Sequence, residues 1–274
     1  MTQSDIDIRG RLPLGLIEMY RQVITQVETL GIPYFVVGAM ARDLVLHHGF
    51  GAPIDRATRD IDFAIQVEDW ESFNQLKGAL RQVGFISDDK IAHRLFYRCH
   101  DDADWILDVL PFGSLTDEYQ DLSLPPDGDC KLSMMGFSEA ASNAWSVLIA
   151  DDCTIPVVSP WGMVMLKLIA WGDSPVSLRA KDAQDIAHVV RQVQKVPAFY
   201  GELYDGGYAE TCGYDNDQAT ALLLGARIAA MATLQTRQFI EERTLKHPHK
   251  DKFIRDMGTL NAEACVERFC ESLL

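Results

Sequence analysis

The sequence predicts an α+β fold: a small mixed β-sheet with helices on one face, then an all-helical domain. Three observations carry that expectation. Residues 1–158 alternate helical-period segments with short apolar runs that end at glycine or polar turns. Beyond Pro160 only helical spacing remains. The chain has 274 residues, 47% of them hydrophobic, enough for one large core or two modest ones. The expected division is residues 1–158 and 159–274.

In order along the chain, Leu16, Ile17, Tyr20, Val23, Ile24, Val27 and Leu30 recur at helical spacing and end at Gly31. The run PYFVVG is a short buried strand stopped by Gly38, and AMARDLVLHHG is a helix closed by Gly49. A turn-rich loop leads to the strand DIDFAIQV, and a helix follows near 69–83. RLFYRC and DWILDVL form a hairpin across the polar link HDDAD. Residues 115–143 are loop-rich, with LPPDGD a turn by composition. AWSVLIADDCTIPVVSP is a second hairpin turning at Asp151 and Asp152. Helices are expected over 161–171, 178–194, 217–233, 235–246 and about 260–273.

The formal net charge is −15, which argues against nonspecific coating of nucleic acid, since that needs a dense Lys/Arg surface. Six cysteines lack CxxC spacing and zinc-ligand clusters, as free thiols of a reducing compartment would. The N-terminus has no basic start followed by an apolar segment. No apolar run reaches the roughly 18 residues of a membrane span. The expected location is cytoplasmic, with no membrane partner.

Chemistry concentrates in the carboxylates. In a strand, side chains alternate, so Asp60 and Asp62 share one face while Ile61, Phe63 and Ile65 pin the other. Asp108 is a lone carboxylate among the apolar residues of DWILDVL, costly there unless paired or metal-bound. Divalent cations remove the mutual repulsion of such acids, and Mg²⁺ favours oxygen ligands with water and phosphate. Paired ions stabilise both oxygens of an in-line phosphoryl or nucleotidyl displacement. Alone, a DxD is read as solvated strand-end charge; the strand, glycine turn and helix upstream and the third acid downstream change that reading. Gly38 stands between a strand and a helix, where backbone N–H groups can donate to an anion; alone, it is equally a tight turn.

Together these segments resemble the DNA polymerase β-like nucleotidyltransferase superfamily. Its signature is an apolar strand, Gly-Gly or Gly-Ser, a helix, Asp-x-Asp on the next strand and a third acid later. The matching positions are Gly38-Ala39, Asp60-Ile61-Asp62 and Asp108. Ala39 departs from the pattern: it keeps the backbone donor but lacks the hydroxyl that contacts a terminal phosphate. The segment WGMVMLKLIAW is apolar over 163–171 apart from Lys167, which must snorkel or meet an anion. Arg179, Asp182 and Asp185 then share roughly one helix face. This pair of segments, with YDNDQATALLLGARIAAMA, is similar to the AbiEii/AbiGii toxin-type nucleotidyltransferases over about residues 30–235.

The resemblance implies transfer of an NMP from an NTP (ATP, GTP or CTP) to an acceptor, a tRNA 3′ end as in toxin-type members or else a protein or small molecule, with an antitoxin protein as a further partner. It implies that Asp60 and Asp62 hold two Mg²⁺ ions, with Asp108 completing one site and acting as base. It implies that Lys167 contacts the phosphates and that Asp182 orients either Lys167 or the acceptor, with Asp185 as substitute. Lys181 falls in the same motif and joins Gly38 and Ala39 among the nucleotide-binding positions. Arg42 and Arg59 flank the site, either as phosphate contacts or in surface salt bridges. GAMARD also resembles the Gly-Gly-x-x-Arg-Asp segment of CCA-adding enzymes, but no Glu-Asp-x-x-Arg element follows. An antibiotic (aminoglycoside-like) nucleotidyltransferase, suited by the acidic composition, and a degenerate non-catalytic binding subunit are the alternatives. His47-His48 read as cations at a helix C-terminus. KHPHK reads as a turn, Trp161 and Trp171 as core or an inter-domain seam, and Asp101, Asp102 and Asp104 as solvated charge.

Overall fold

The structure, a computed structural model, describes residues 5–54, 58–100, 104–116, 121–123, 131–173 and 175–274. Asp101, Asp102, the turn expected at 124–129 and Cys130 lie outside the described residues. The chain divides into two compact units, Met1–Val158 and Ser159–Leu274.

The first unit holds an eight-stranded mixed sheet. Its strands are β1 (Asp5–Asp7), β2 (Tyr34–Val37), β3 (Asp60–Gln66), β4 (Ile86–Ser87), β5 (Arg94–Arg98), β6 (Asp104–Phe112), β9 (Trp145–Ala150) and β10 (Cys153–Val157). They are ordered β1-β9-β10-β2-β3-β6-β5-β4, while β7 (Asp121–Ser123) and β8 (Lys131–Ser133) pair apart. At the centre, β2 runs antiparallel to β3, β3 parallel to β6, and β6 antiparallel to β5.

Alternation decides what each face meets. Ile61, Phe63 and Ile65 are fully buried, as are Leu95 and Leu107 in register beside them. Over them lie α1 (Leu14–Thr29), through residues such as Leu16, Tyr20 and Val23, and α3 (Trp70–Gln82), through Phe73, Leu76 and Leu80. Tyr20 tilts against Phe63 with ring centroids 5.7 Å apart. Asp69 caps α3, accepting from the Ser72 N–H at 2.7 Å. The opposite face carries the acids near the start of β3. Further along, Phe35 and Phe112 meet Phe137 of α4 (Phe137–Ser142).

After β2 the chain forms α2 (Gly38–Arg42), then widens into a π-helical stretch, Asp43–Gly49, where a single α-helix is expected from sequence. His47 Nδ1 donates to the Ala52 carbonyl at 2.6 Å, tying off that stretch. The short strands β1 and β4 escape the sequence reading because two or three residues are too few to establish a period.

The second unit is helical: α5 (Pro160–Asp173), α6 (Val176–Val193), α7 (Tyr208–Thr211), α8 (Asn216–Met231), α9 (Leu234–Ile240), α10 (His249–Met257) and α11 (Ala262–Leu273). The turn expected at KHPHK is present over 246–248, and α10 starts inside that motif at His249, with Phe253 and Met257, one turn apart, both buried. Trp171 is fully buried, donates Nε1–H to Asp256 Oδ2 at 3.0 Å and lies under the Arg179 guanidinium. Trp161 is half-buried against Phe199 and Arg227. Both tryptophans are packing residues of this unit.

Candidate active site

Two clusters contain the residues the sequence singles out, one in each unit. In the first, Asp62 and Asp108 are register partners on the parallel strands β3 and β6, so their side chains leave the same face. Asp60 lies two residues upstream on that face and is exposed, Asp62 is half-buried, and Asp108 is buried.

Gly38 has φ of +75°, a left-handed conformation that side chains disfavour. The space its missing Cβ leaves is filled by Asp62. An added Cβ would overlap Asp62 Oδ2 and stand 2.8 Å from its Cγ. The glycine therefore serves the aspartate directly, because β2 and β3 are neighbours and Val37 is the register partner of Asp62.

Asp108 has a partner that the sequence reading missed. Arg94, opposite it on β5, donates Nε–H to Oδ1 at 2.8 Å and Nη2–H to Oδ2 at 2.7 Å. The two side chains are 24% and 9% exposed, so this bidentate pair is largely withdrawn from water. Hydrogen bonding to Asp108 holds the guanidinium well above its ordinary range, with further support from Asp60 and Asp88. The cross-strand pattern repeats at Arg98 and Asp104, 2.7 Å apart and exposed. Counting outward from the polar hairpin link pairs 98 with 104 and 94 with 108, so the signal existed in the sequence. Beside Arg94, His93 has a buried Nδ1 without a hydrogen-bond partner, and burial pushes its pKa down.

Among the described residues, no group of three His, Cys, Asp or Glu side chains stands ready to hold a metal ion. The three carboxylates share a face, but Asp108 is engaged by an arginine where the resemblance implies metal. Arg42 is taken up by its neighbour Asp43, donating Nη2–H at 2.8 Å, and both side chains are largely buried. Arg59 is exposed, and its carbonyl extends the β3–β6 ladder by accepting from the Ile106 N–H. Ala39 is half-buried in the first turn of α2.

In the second unit, Lys167 of α5 meets two anions from α6. Its ammonium stands 2.7 Å from Asp182 Oδ1 and 2.9 Å from Asp185 Oδ2. Burial alone would lower its pKa, but the two carboxylates outweigh burial and hold it above the ordinary lysine range. Lys181 is exposed.

A strand, a left-handed glycine, a helix, an Asp-x-Asp pair on the adjacent antiparallel strand and a third aspartate in register on the next define the class: a nucleotidyltransferase fold. The family profile described as "Nucleotidyl transferase AbiEii toxin, Type IV TA system" matches residues 26–253. The chain belongs to that family and is a nucleotidyltransferase. No curated protein matches it. Among solved structures, an antigenic nucleotidyltransferase-like protein from Paracoccidioides brasiliensis is 16% identical, over 65% of this chain and 76% of that one, with a TM-score of 0.41. The lincosamide antibiotic adenylyltransferase LnuA is 17% identical, over 65% and 96%, with a TM-score of 0.36. The Thermotoga maritima CCA-adding enzyme complexed with tRNA is 12% identical, over 97% and 80%, with a TM-score of 0.27. Among the described residues, no helix is long and apolar enough to cross a membrane.

Proposed function

We propose that this chain moves a nucleoside monophosphate from an NTP to an acceptor hydroxyl, a tRNA 3′ end, and releases pyrophosphate. The observation that carries the reading is the placement of Asp60, Asp62 and Asp108 on one face of adjacent strands, beside Gly38, in a chain of the AbiEii family. The acceptor oxygen bonds to the α-phosphorus, the bond to the β-phosphate oxygen breaks, and the acceptor proton passes to a carboxylate.

Asp60 and Asp62 offer exposed and half-buried oxygen donors, the kind Mg²⁺ prefers, so the pair fits a divalent ion. Such an ion, when bound, supplies positive charge to the triphosphate oxygens. Asp108 is the proposed proton acceptor, held in a fixed orientation by Arg94. Lys167 is the proposed phosphate contact, with Asp182 and Asp185 keeping its ammonium charged and oriented. Gly38, Ala39, Arg42, Arg59 and Lys181 are proposed around the nucleotide. An antitoxin protein is the proposed partner and the cytoplasm the proposed location. The net charge of −15 favours one second reading, a cationic small-molecule acceptor of the aminoglycoside kind.

The test is incubation of the purified protein with each labelled NTP and total RNA, resolved by size, with an aminoglycoside arm. Label appearing in the tRNA band and lost in Asp62→Asn supports the tRNA reading. Label on the aminoglycoside alone supports the second. NTP bound without transfer by either protein would overturn both and leave a non-catalytic binder.

A further inference from the structure

We infer that Arg94 is a built-in cation of the acidic cluster, holding Asp108 so that the site takes one divalent ion, at Asp60 and Asp62, rather than two. This rests on the nucleotidyltransferase reading above and specifies its metal requirement.

Two carboxylates in register on neighbouring strands start about 4.8 Å apart, close enough to share ions. Here they lean apart. Asp62 turns toward β2, where its Oδ2 fills the space over Gly38. Asp108 turns toward β5, where both its oxygens accept from Arg94 at 2.8 and 2.7 Å. The strand order β2-β3-β6-β5 places those partners on opposite flanks of the pair.

The Arg94–Asp108 pair is not a loose surface contact. Asp108 sits in the middle of β6, Arg94 opens β5 in register opposite it, and the side chains of Arg94 and Asp108 are 24% and 9% exposed. A planar guanidinium that engages both oxygens satisfies the carboxylate's charge and its geometry at once. A dication at the same carboxylate would stand within a few ångströms of the guanidinium, and at low effective dielectric their repulsion is large. A guanidinium stays charged at any working pH, so it does not yield by losing its proton. The division of labour follows: Asp60 and Asp62 face the ion, and Arg94 supplies the positive charge that a second ion would bring to Asp108.

The experiment counts Mn²⁺ ions per chain by electron paramagnetic resonance, in the presence of an NTP analogue with a non-cleavable α,β-methylene bridge. The expected result is one ion in the wild type and one in Asp108→Asn, with affinities within about threefold. Asp62→Asn should lose the ion, and Arg94→Met should gain a second. Two ions in the wild type, an ion lost in Asp108→Asn, or one ion in a folded Arg94→Met overturns the inference and leaves the nucleotidyltransferase reading standing. If Arg94→Met does not fold, the wild type and Asp108→Asn decide. Neither Mn²⁺ nor analogue bound by the wild type overturns both.

Discussion

Replacing Gly38 with alanine separates two costs that the structure fixes. The first is conformational: φ of +75° costs a non-glycine residue about 1–2 kcal/mol. The second is steric: the new Cβ overlaps Asp62 Oδ2 and lies 2.8 Å from Cγ and 3.3 Å from Cβ, so Asp62 must move. Forced repacking of this kind costs about 1–3 kcal/mol. The total is about 2–5 kcal/mol, a drop of roughly 6–15 °C in the melting temperature of a unit this size. If Asp62 holds the ion as proposed, displacing it by about 1 Å should lower turnover on the order of 100-fold. Gly31→Ala is the control, because its φ is +67° with nothing within 4 Å of the built Cβ, so only the conformational cost remains. Thermal melts and kcat/KM for nucleotidyl transfer read both effects. In an Asp62→Ala background the steric part should vanish, a coupling of about 1–3 kcal/mol. Additive melts, or Gly38→Ala with wild-type turnover and the stability of Gly31→Ala, would refute the reasoning.

Three further outcomes are expected. Lys167→Met should destabilise the helical unit by about 3 kcal/mol, since it leaves Asp182 and Asp185 facing each other without their cation, and adding Asp182→Asn and Asp185→Asn should restore most of the loss in a thermal melt. The lysine's pKa is raised, so the contribution of this cluster is full below its unfolded value near 10.4 and is lost only as pH climbs through the higher folded one; melts at pH 7 and 9 should agree in their wild-type-to-variant gap. Tyr20→Phe should raise stability by about 1 kcal/mol in urea unfolding, because the Tyr20 hydroxyl is buried with no hydrogen-bond partner and its removal ends a desolvation cost. Tyr97 donates to Glu18 at 2.8 Å and, with burial opposing and His100 assisting, lowers the Glu18 pKa. A depressed carboxylate stabilises above its unfolded pKa near 4.3 and loses that effect as pH falls through the folded value. Tyr97→Phe should therefore cost about 1.5 kcal/mol at pH 7, and the gap should narrow toward pH 3; a gap that widens on acidification would contradict this.

Much of β3 is legible from one short stretch. The period of two in DIDFAIQ sends Ile61, Phe63 and Ile65 inward and leaves Asp60 and Asp62 on the other face, whatever the rest of the chain does. The hairpins RLFYRC–DWILDVL and AWSVLIA–CTIPVV are likewise legible, since adjacent strands with polar links pair locally. Helix α10 is not, because HKDKFIRDM carries few apolar residues and its helical state depends on burying Phe253 and Met257.

By itself, then, the sequence determined the type of most elements, the face on which the carboxylates stand and the need for a counter-charge at Asp108 and Lys167. Only the tertiary structure decided what those counter-charges are. Arg94 meets Asp108, and Asp182 with Asp185 meets Lys167. It also decided that Asp62 fills the space at Gly38. The physical reason is range: hydrophobic period acts between neighbours a few residues apart, whereas an ion pair depends on strand register and helix packing that bring distant residues within 3 Å.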